Sequence, residues 1–188
     1  ESMLPMWKEG QMKVVQSVGY PDQNFSHFRS TDIWSAASDA DGSTSTGWLG
    51  RWMESRYPDF VQNPPEAPPA IQIGNNAQLV FEGSQLSMSV SVADPNELYE
   101  IAQSGQLYDP LAVPSDCYGT ELTFLRTMAN NTFKYAEAIQ EAYNKSSNSS
   151  EYDTVTDLGQ QLALVARLIK GGIGTKLYMV SIDGFDTH

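Results

Sequence analysis

Two short segments carry residue types that could do chemistry, and each follows a stretch that predicts a strand. One is Asp183-Gly184-Phe185-Asp186-Thr187-His188, directly after the apolar residues 177–182. Asp186 and His188 are two apart, so in an extended segment both side chains leave the same face. A carboxylate and an imidazole placed in this way could share one divalent ion. The alternative, which composition alone favours, is a polar turn in which Asp183 and Asp186 cap backbone amides.

The second segment lies around Ser26 and follows residues 13–18, a stretch with three valines that predicts a short buried strand. A helix is expected to start near Ser26, placing its hydroxyl where free N–H groups and the helix dipole favour an anion. A hydroxyl in that position suits a nucleophile that attacks phosphorus or sulfur. Asn24, His27 and Arg29 would then donate to the substrate oxygens. The alternative, favoured by spacing alone, is an ordinary serine N-cap beside an exposed histidine.

Composition narrows the class of partner. The 188 residues contain 11 basic and 23 acidic side chains, a net charge of −12, and only 18% of the residues are charged. This balance argues against a protein that binds the phosphate backbone of nucleic acid or a polybasic membrane-surface segment. No apolar run approaches the ~20 residues that span a bilayer. The partner is therefore expected to be a small molecule, a cation or another protein.

The elements that must position these segments are typical of an α/β protein. Two long helices, around 122–143 and 155–169, lead into the apolar strand 176–182, which resembles a strand of a parallel sheet. The second helix has an apolar stripe that includes Leu162 and Ile169, and Ser150 with Asp153 resembles its capping box. Shorter helices are predicted over 3–10, from 24 past 34, over 48–57 and from Asp94-Pro95.

A proline-rich stretch, 62–70, is the best candidate for a boundary. It divides the chain into three segments. Residues 1–60 are expected to form the first part of an α/β core with the candidate nucleophile loop, and residues 61–115 a connection with a small antiparallel β appendage. Residues 116–188 would form the two long helices and a core strand that ends at the candidate metal motif. The appendage is predicted from strands at 70–73, 78–81 and 86–92. On the first segment, Trp48 and Trp52 lie on one helix face and are expected to be core residues rather than a sugar platform.

Several stretches together resemble a family of uncharacterised bacterial proteins, domain of unknown function 1501, which is similar to the alkaline phosphatase and sulfatase superfamily. The resemblance implies a mainly parallel sheet sandwiched by helices. It also implies export to the periplasm or cell surface. The matching stretches are Val18-Gly19-Tyr20-Pro21, Asn24-Phe25-Ser26-His27-Phe28-Arg29-Ser30, Asp32-Ile33-Trp34, Thr46-Gly47-Trp48-Leu49-Gly50-Arg51, residues 162–170 and Gly184-Phe185-Asp186-Thr187-His188.

The same resemblance assigns roles to single residues. Ser26 takes the nucleophile position, and Asp186 and His188 fall on the superfamily's metal-ligand segment, for Zn²⁺, Mn²⁺, Ca²⁺ or iron. Superfamily members commonly space such a pair of ligands more widely. The family also places further ligand segments before and after these residues, so we expect a fragment that is inactive alone.

Two classes of function remain open at this point. The first is a metal-dependent hydrolase of phosphate or sulfate esters with a small anionic substrate. The second is a non-catalytic secreted or surface binding module on the same scaffold, whose partner would be a surface or export protein; an exposed aromatic patch around Trp48 and Trp52 would favour it.

Overall fold

A computed structural model describes residues 3–23, 25–74 and 77–185. Within these ranges the chain forms an α/β fold with six α-helices and one small sheet. The helices are α1 (Leu4–Lys8), α2 (His27–Ala36), α3 (Trp48–Arg56), α4 (Pro95–Gln103), α5 (Cys117–Lys145) and α6 (Asp157–Gly171). The strands are β1 (Ala70–Ile73), β2 (Ser89–Val92) and β3 (Leu177–Met179), with a 3₁₀ turn at Leu79–Phe81.

The sheet is entirely parallel, with β1 between β2 and β3. Ile71 of β1 pairs with Val90 on one side and with Tyr178 on the other. The mainly parallel α/β class is therefore confirmed, but the antiparallel appendage is wrong. The residues predicted for the appendage instead form β1 and β2, two of the three strands of the parallel sheet. The third strand, β3, comes from much later in the sequence and pairs with β1. The predicted strand at 78–81 is the 3₁₀ turn, and the one antiparallel bridge described joins Glu82 and Ser87.

The predicted strand over residues 13–18 is wrong as well. This segment has no regular secondary structure, and Val15 is 78% exposed. A strand is stable only when its backbone groups pair with a neighbour. No strand in the described ranges pairs with residues 13–18, so the three valines of this stretch do not by themselves form a strand.

One hydrophobic core joins the three predicted segments of the chain. Met53 of α3, Ile71 of β1, Phe81, Ile139 of α5 and Leu168 of α6 are fully or almost fully buried within it. At about 25 cal/mol per Å² of apolar area, each such side chain contributes roughly 1.5–3 kcal/mol of hydrophobic free energy. Packing of α5 and α6 on the sheet therefore depends on residues from both sides of the proline-rich stretch.

Local capping sets the starts of the helices. The Asp94 carboxylate accepts hydrogen bonds from Asn96 N and Glu97 N at the start of α4, as the Asp-Pro pair predicts. Helix α6 begins at Asp157 with Thr156 as its N-cap, so the capping box at Ser150 is wrong. The Asp153 side chain instead accepts from Val155 N in the turn before the helix.

Arginine contacts tie α6 to the end of α5. Arg167 Nε donates to the carbonyls of Tyr143 and Ser146, at 2.7 and 2.8 Å, and its guanidinium lies 3.4 Å from the centre of the Tyr143 ring. Tyr143 lies in the last turn of α5 and Ser146 is its C-cap. Carbonyls at a helix C-terminus lack intrahelical partners and carry partial negative charge. The contact fixes the crossing of the two long helices beside the sheet.

Candidate functional site

The helix predicted at Ser26 is present, and Ser26 is its N-cap. The Ser26 hydroxyl accepts from Arg29 N at 3.3 Å, the half-buried serine has extended backbone angles, and α2 begins at His27, which is exposed. This geometry is that of a serine N-cap, and it also places the hydroxyl at the positive end of the helix dipole. The serine does not follow a strand, because the segment before it forms none.

Phe25, directly before Ser26, has an unusual backbone conformation. Its φ is +58°, in the left-handed region, and its side chain is 82% exposed. For a bulky residue this conformation is a genuine outlier that costs of order 1 kcal/mol, and such residues cluster at functional sites. The turn into α2 therefore holds a strained residue whose side chain is mostly exposed.

Arg29 holds a loop in place. Its Nη2 donates to the Ala40 carbonyl at 2.8 Å and also to the Gly42 carbonyl. A substrate oxygen would have to use Nη1 or Nε of this side chain. The predicted substrate role of Arg29 thus stays a prediction, beside an anchoring role that the structure shows directly.

The other predicted site residues, Asn24, Asp186 and His188, lie outside the described residues. Asp183 is described and lies four residues beyond the end of β3. Residues 3–23, 25–74 and 77–185 contain no group of three or more His, Cys, Asp or Glu side chains that could hold a metal ion. The metal site at Asp186 and His188 therefore stays a prediction.

The carboxyl ends of the three parallel strands border two crevices. The β1–β2 crevice, about 450 Å³, is bordered by Gly74, Asp94 and Arg167 together with Asp157 of α6. The β1–β3 crevice, about 370 Å³, is bordered by Gly74, Asp157 and Asp183. Parallel α/β sheets bind ligands at this edge, beyond the ends of the strands. Each crevice carries two carboxylates.

Helix α6 positions the segment that leads toward residues 186–188. Gln161 Nε2 donates to the Ser181 carbonyl and Gln161 Oε1 accepts from Ser181 N, both at 2.8 Å. These two hydrogen bonds fix the backbone after β3 against α6, two residues before Asp183, which borders the β1–β3 crevice. Asp157, Gln161 and Arg167 were not expected at the site, since their role depends on how α6 crosses the sheet and no local pattern signals it.

The described parts of the two predicted segments do not border a common crevice. Of the described residues, none of Ser26, His27 and Arg29 borders either the β1–β2 or the β1–β3 crevice. Helix α2 instead packs against the 3₁₀ turn. This turn is linked to the sheet edge through Gln78 N, which donates to Gln72 Oε1 at 3.0 Å. The shared site for Ser26 and Asp186 therefore stays a prediction.

Three tryptophans on α2 and α3 are exposed rather than buried. Trp34, Trp48 and Trp52 are 59%, 41% and 48% exposed, so the expectation that Trp48 and Trp52 are core residues is wrong. Arg51 joins the two helices by donating to the Ala36 carbonyl at 2.7 Å. The buried face of α3 is formed by Gly50 and Met53, which leaves the tryptophans on the outer side.

Comparison of the chain with models of known protein families, with curated proteins and with solved structures finds no match. Within the part of the chain that the structure describes, no helix combines the length and the apolar character that a membrane crossing needs.

Proposed function

We propose that this chain is part of an exported, metal-dependent hydrolase of phosphate or sulfate esters with an alkaline-phosphatase-like scaffold. The observation that carries the proposal is the common carboxyl edge of β1, β2 and β3, with its two acidic crevices. The segment after β3 leads from this edge into the motif that resembles the metal-ligand segment of the superfamily. The position of Asp183 at this edge, three residues before Asp186 in the sequence, supports the proposal of a metal site here.

Asp186 and His188 are the residues that would bind the metal, with Asp183 as the nearest described carboxylate along the chain. A divalent metal supplies Lewis acidity and a lowered pKa for a bound hydroxyl or water. The net charge of −12 makes such a cation necessary in the proposal, because the chain's own charge repels an anionic ester. Zn²⁺, Mn²⁺ and iron fit a carboxylate and imidazole donor pair, whereas Ca²⁺ takes oxygen ligands and would use the carboxylate alone.

Ser26 is the proposed nucleophile. Support comes from its place at the start of α2, where backbone amides favour an anionic group, and from the strained backbone of Phe25 beside it. Because Ser26 is also an N-cap, its replacement by alanine would disturb the helix as well as the chemistry. Ser26→Asn is the better variant, since asparagine caps a helix as well as serine but has no hydroxyl.

A second candidate function is a non-catalytic surface binding module. The observation that favours it is the exposure of Trp34, Trp48 and Trp52. Exposed aromatic side chains are common anchors in protein interfaces. In this case the partner would be a surface or export protein, and neither metal nor Ser26 would be needed.

Metal binding separates the two functions. The experiment measures Zn²⁺ and Mn²⁺ affinity by equilibrium dialysis for the untagged complete gene product and for the double variant Asp186→Ala, His188→Ala. Glu151→Ala, which removes an exposed carboxylate before α6, is the matched control. We expect the double variant to weaken affinity at least tenfold and the control to match the wild type. Wild-type protein that binds neither metal, or a double variant that binds as well as the wild type, would contradict the hydrolase proposal.

A further inference from the structure

We propose that a cavity between β2 and α5 is a binding site for a small neutral molecule that carries a carbonyl oxygen. The cavity measures about 220 Å³ and shares no lining residue with the two crevices at the carboxyl edge. It lies toward the amino ends of β1 and β2, where Pro68, Pro69, Ser87 and Met88 border it. The proposal is therefore independent of the proposed hydrolase function.

Two buried polar groups on α5 provide the recognition. Asn131 and Tyr135, one helical turn apart, both line the cavity and are 7% and 2% exposed. Among the described residues, Asn131 Nδ2 and Tyr135 Oη are two of three buried side-chain atoms that have no hydrogen-bond partner. Buried polar atoms without a partner are rare in native proteins, and each is explained when a ligand supplies the missing partner.

The chemistry of the two groups defines the polar atom of the ligand. Burial, and secondarily the nearby Tyr57, raises the pKa of Tyr135, so its hydroxyl stays protonated at neutral pH and can donate. The amide nitrogen of Asn131 is a donor only. Asn131 Nδ2 therefore needs an acceptor, and the Tyr135 hydroxyl can donate as well. A carbonyl oxygen has two lone pairs and can accept from both.

The rest of the lining defines the size and charge of the ligand. Apolar side chains, including Phe60, Leu98 and Met128, form most of the remaining wall, and none of the lining residues is ionisable at neutral pH. An ionised ligand would lose its hydration without gaining a counter-ion. An apolar cavity of about 150 Å³ accommodates benzene, so about 220 Å³ suits one ring with a small polar substituent.

The test uses acetophenone and cyclohexanone as probes, with ethylbenzene and benzoate as matched comparisons. Binding is followed by NMR through the Asn131 side-chain amide and the backbone amides of Ser87–Ser91. We expect saturable shifts with the two ketones, binding about two- to tenfold weaker for ethylbenzene, which lacks the acceptor, and no binding of benzoate.

Two variants test the polar contact on the protein side. Tyr135→Phe removes the hydroxyl and keeps the ring. We expect this variant to bind acetophenone about two- to tenfold more weakly than the wild type and to bind ethylbenzene with unchanged affinity. Tyr118→Phe, at an exposed position of the same helix, is the control and should bind like the wild type.

Absence of saturable shifts with both ketones would overturn the proposal, because the cavity would then hold water only. Equal affinity for acetophenone and ethylbenzene would overturn it as well. This comparison needs only wild-type protein, so it remains decisive if a variant fails to fold.

Discussion

Gly50 of α3 faces a neighbouring backbone so closely that alanine at this position should destabilise the fold. A Cβ atom added to Gly50 would lie 2.1 Å from the Glu82 carbonyl oxygen, whereas ordinary contact begins at 3.4 Å. The neighbour is backbone, so a side-chain rotation cannot relieve the clash. Separation of the two segments would also stretch the hydrogen bond from Gly47 N to Glu82 O, now 2.8 Å.

The expected loss of stability is the sum of two destabilising effects and one stabilising effect. Overpacking costs about 1–3 kcal/mol and loss of the Gly47–Glu82 hydrogen bond about 1 kcal/mol. The higher helix propensity of alanine returns about 1 kcal/mol. We therefore expect Gly50→Ala to lower the free energy of unfolding by roughly 1–3 kcal/mol, and the melting temperature by roughly 3–10 °C for a chain of this size.

Urea unfolding followed by circular dichroism measures this change. Ser55→Ala, an exposed replacement in the same helix, is the control and should stay within about 0.5 kcal/mol of the wild type. If Gly50→Ala is as stable as the wild type or more stable, α3 does not pack on residues 82–83 and the described position of the exposed tryptophans is wrong.

Two further predictions concern the long helices. Thr156→Ala, which removes the N-cap of α6, should lower the free energy of unfolding by about 1 kcal/mol, whereas Ser150→Ala should change it little; urea titrations that show equal losses would contradict the assigned start of α6. Burial raises the pKa of Tyr135 above its ordinary value near 10, so the folded state holds this proton more tightly than the unfolded chain. The free energy of unfolding that this group contributes is fully present below about pH 10 and should decrease as the pH rises further. We expect a smaller decrease in Tyr135→Phe, and a decrease equal to that of the wild type in Tyr118→Phe.

Local signals predicted most of the helices. The Asp94-Pro95 pair and the serine at position 26 act through their own neighbouring amides, so the helix starts that they indicate do not depend on the rest of the fold. The pairing of the strands could not be predicted in this way. The direction of β1 and β2 is set by pairing partners distant in sequence, which no local pattern encodes.

Helix α6 shows that helical spacing of apolar residues predicts a helix but not which of its faces is buried. The stripe containing Leu162 and Ile169 has helical spacing, but these side chains are 42% and 58% exposed, and Leu168 is the residue that packs fully into the core. The helix is apolar on two faces, and contact with α5 selects one of them. The same limit applies to the carboxyl edge, where Asp157 and Gln161 join the site only through this packing.

The most direct test of the proposed hydrolase is the rate at which the complete gene product hydrolyses p-nitrophenyl phosphate and p-nitrophenyl sulfate with Zn²⁺ or Mn²⁺. Wild type and Ser26→Asn are compared, after urea unfolding has shown that the two are equally stable. We predict metal-dependent hydrolysis of at least one ester by the wild type, and a loss of at least about 10³-fold in Ser26→Asn, as is typical for removal of a nucleophile. Equal rates for the two proteins, or no hydrolysis of either ester with either metal, would contradict the proposal.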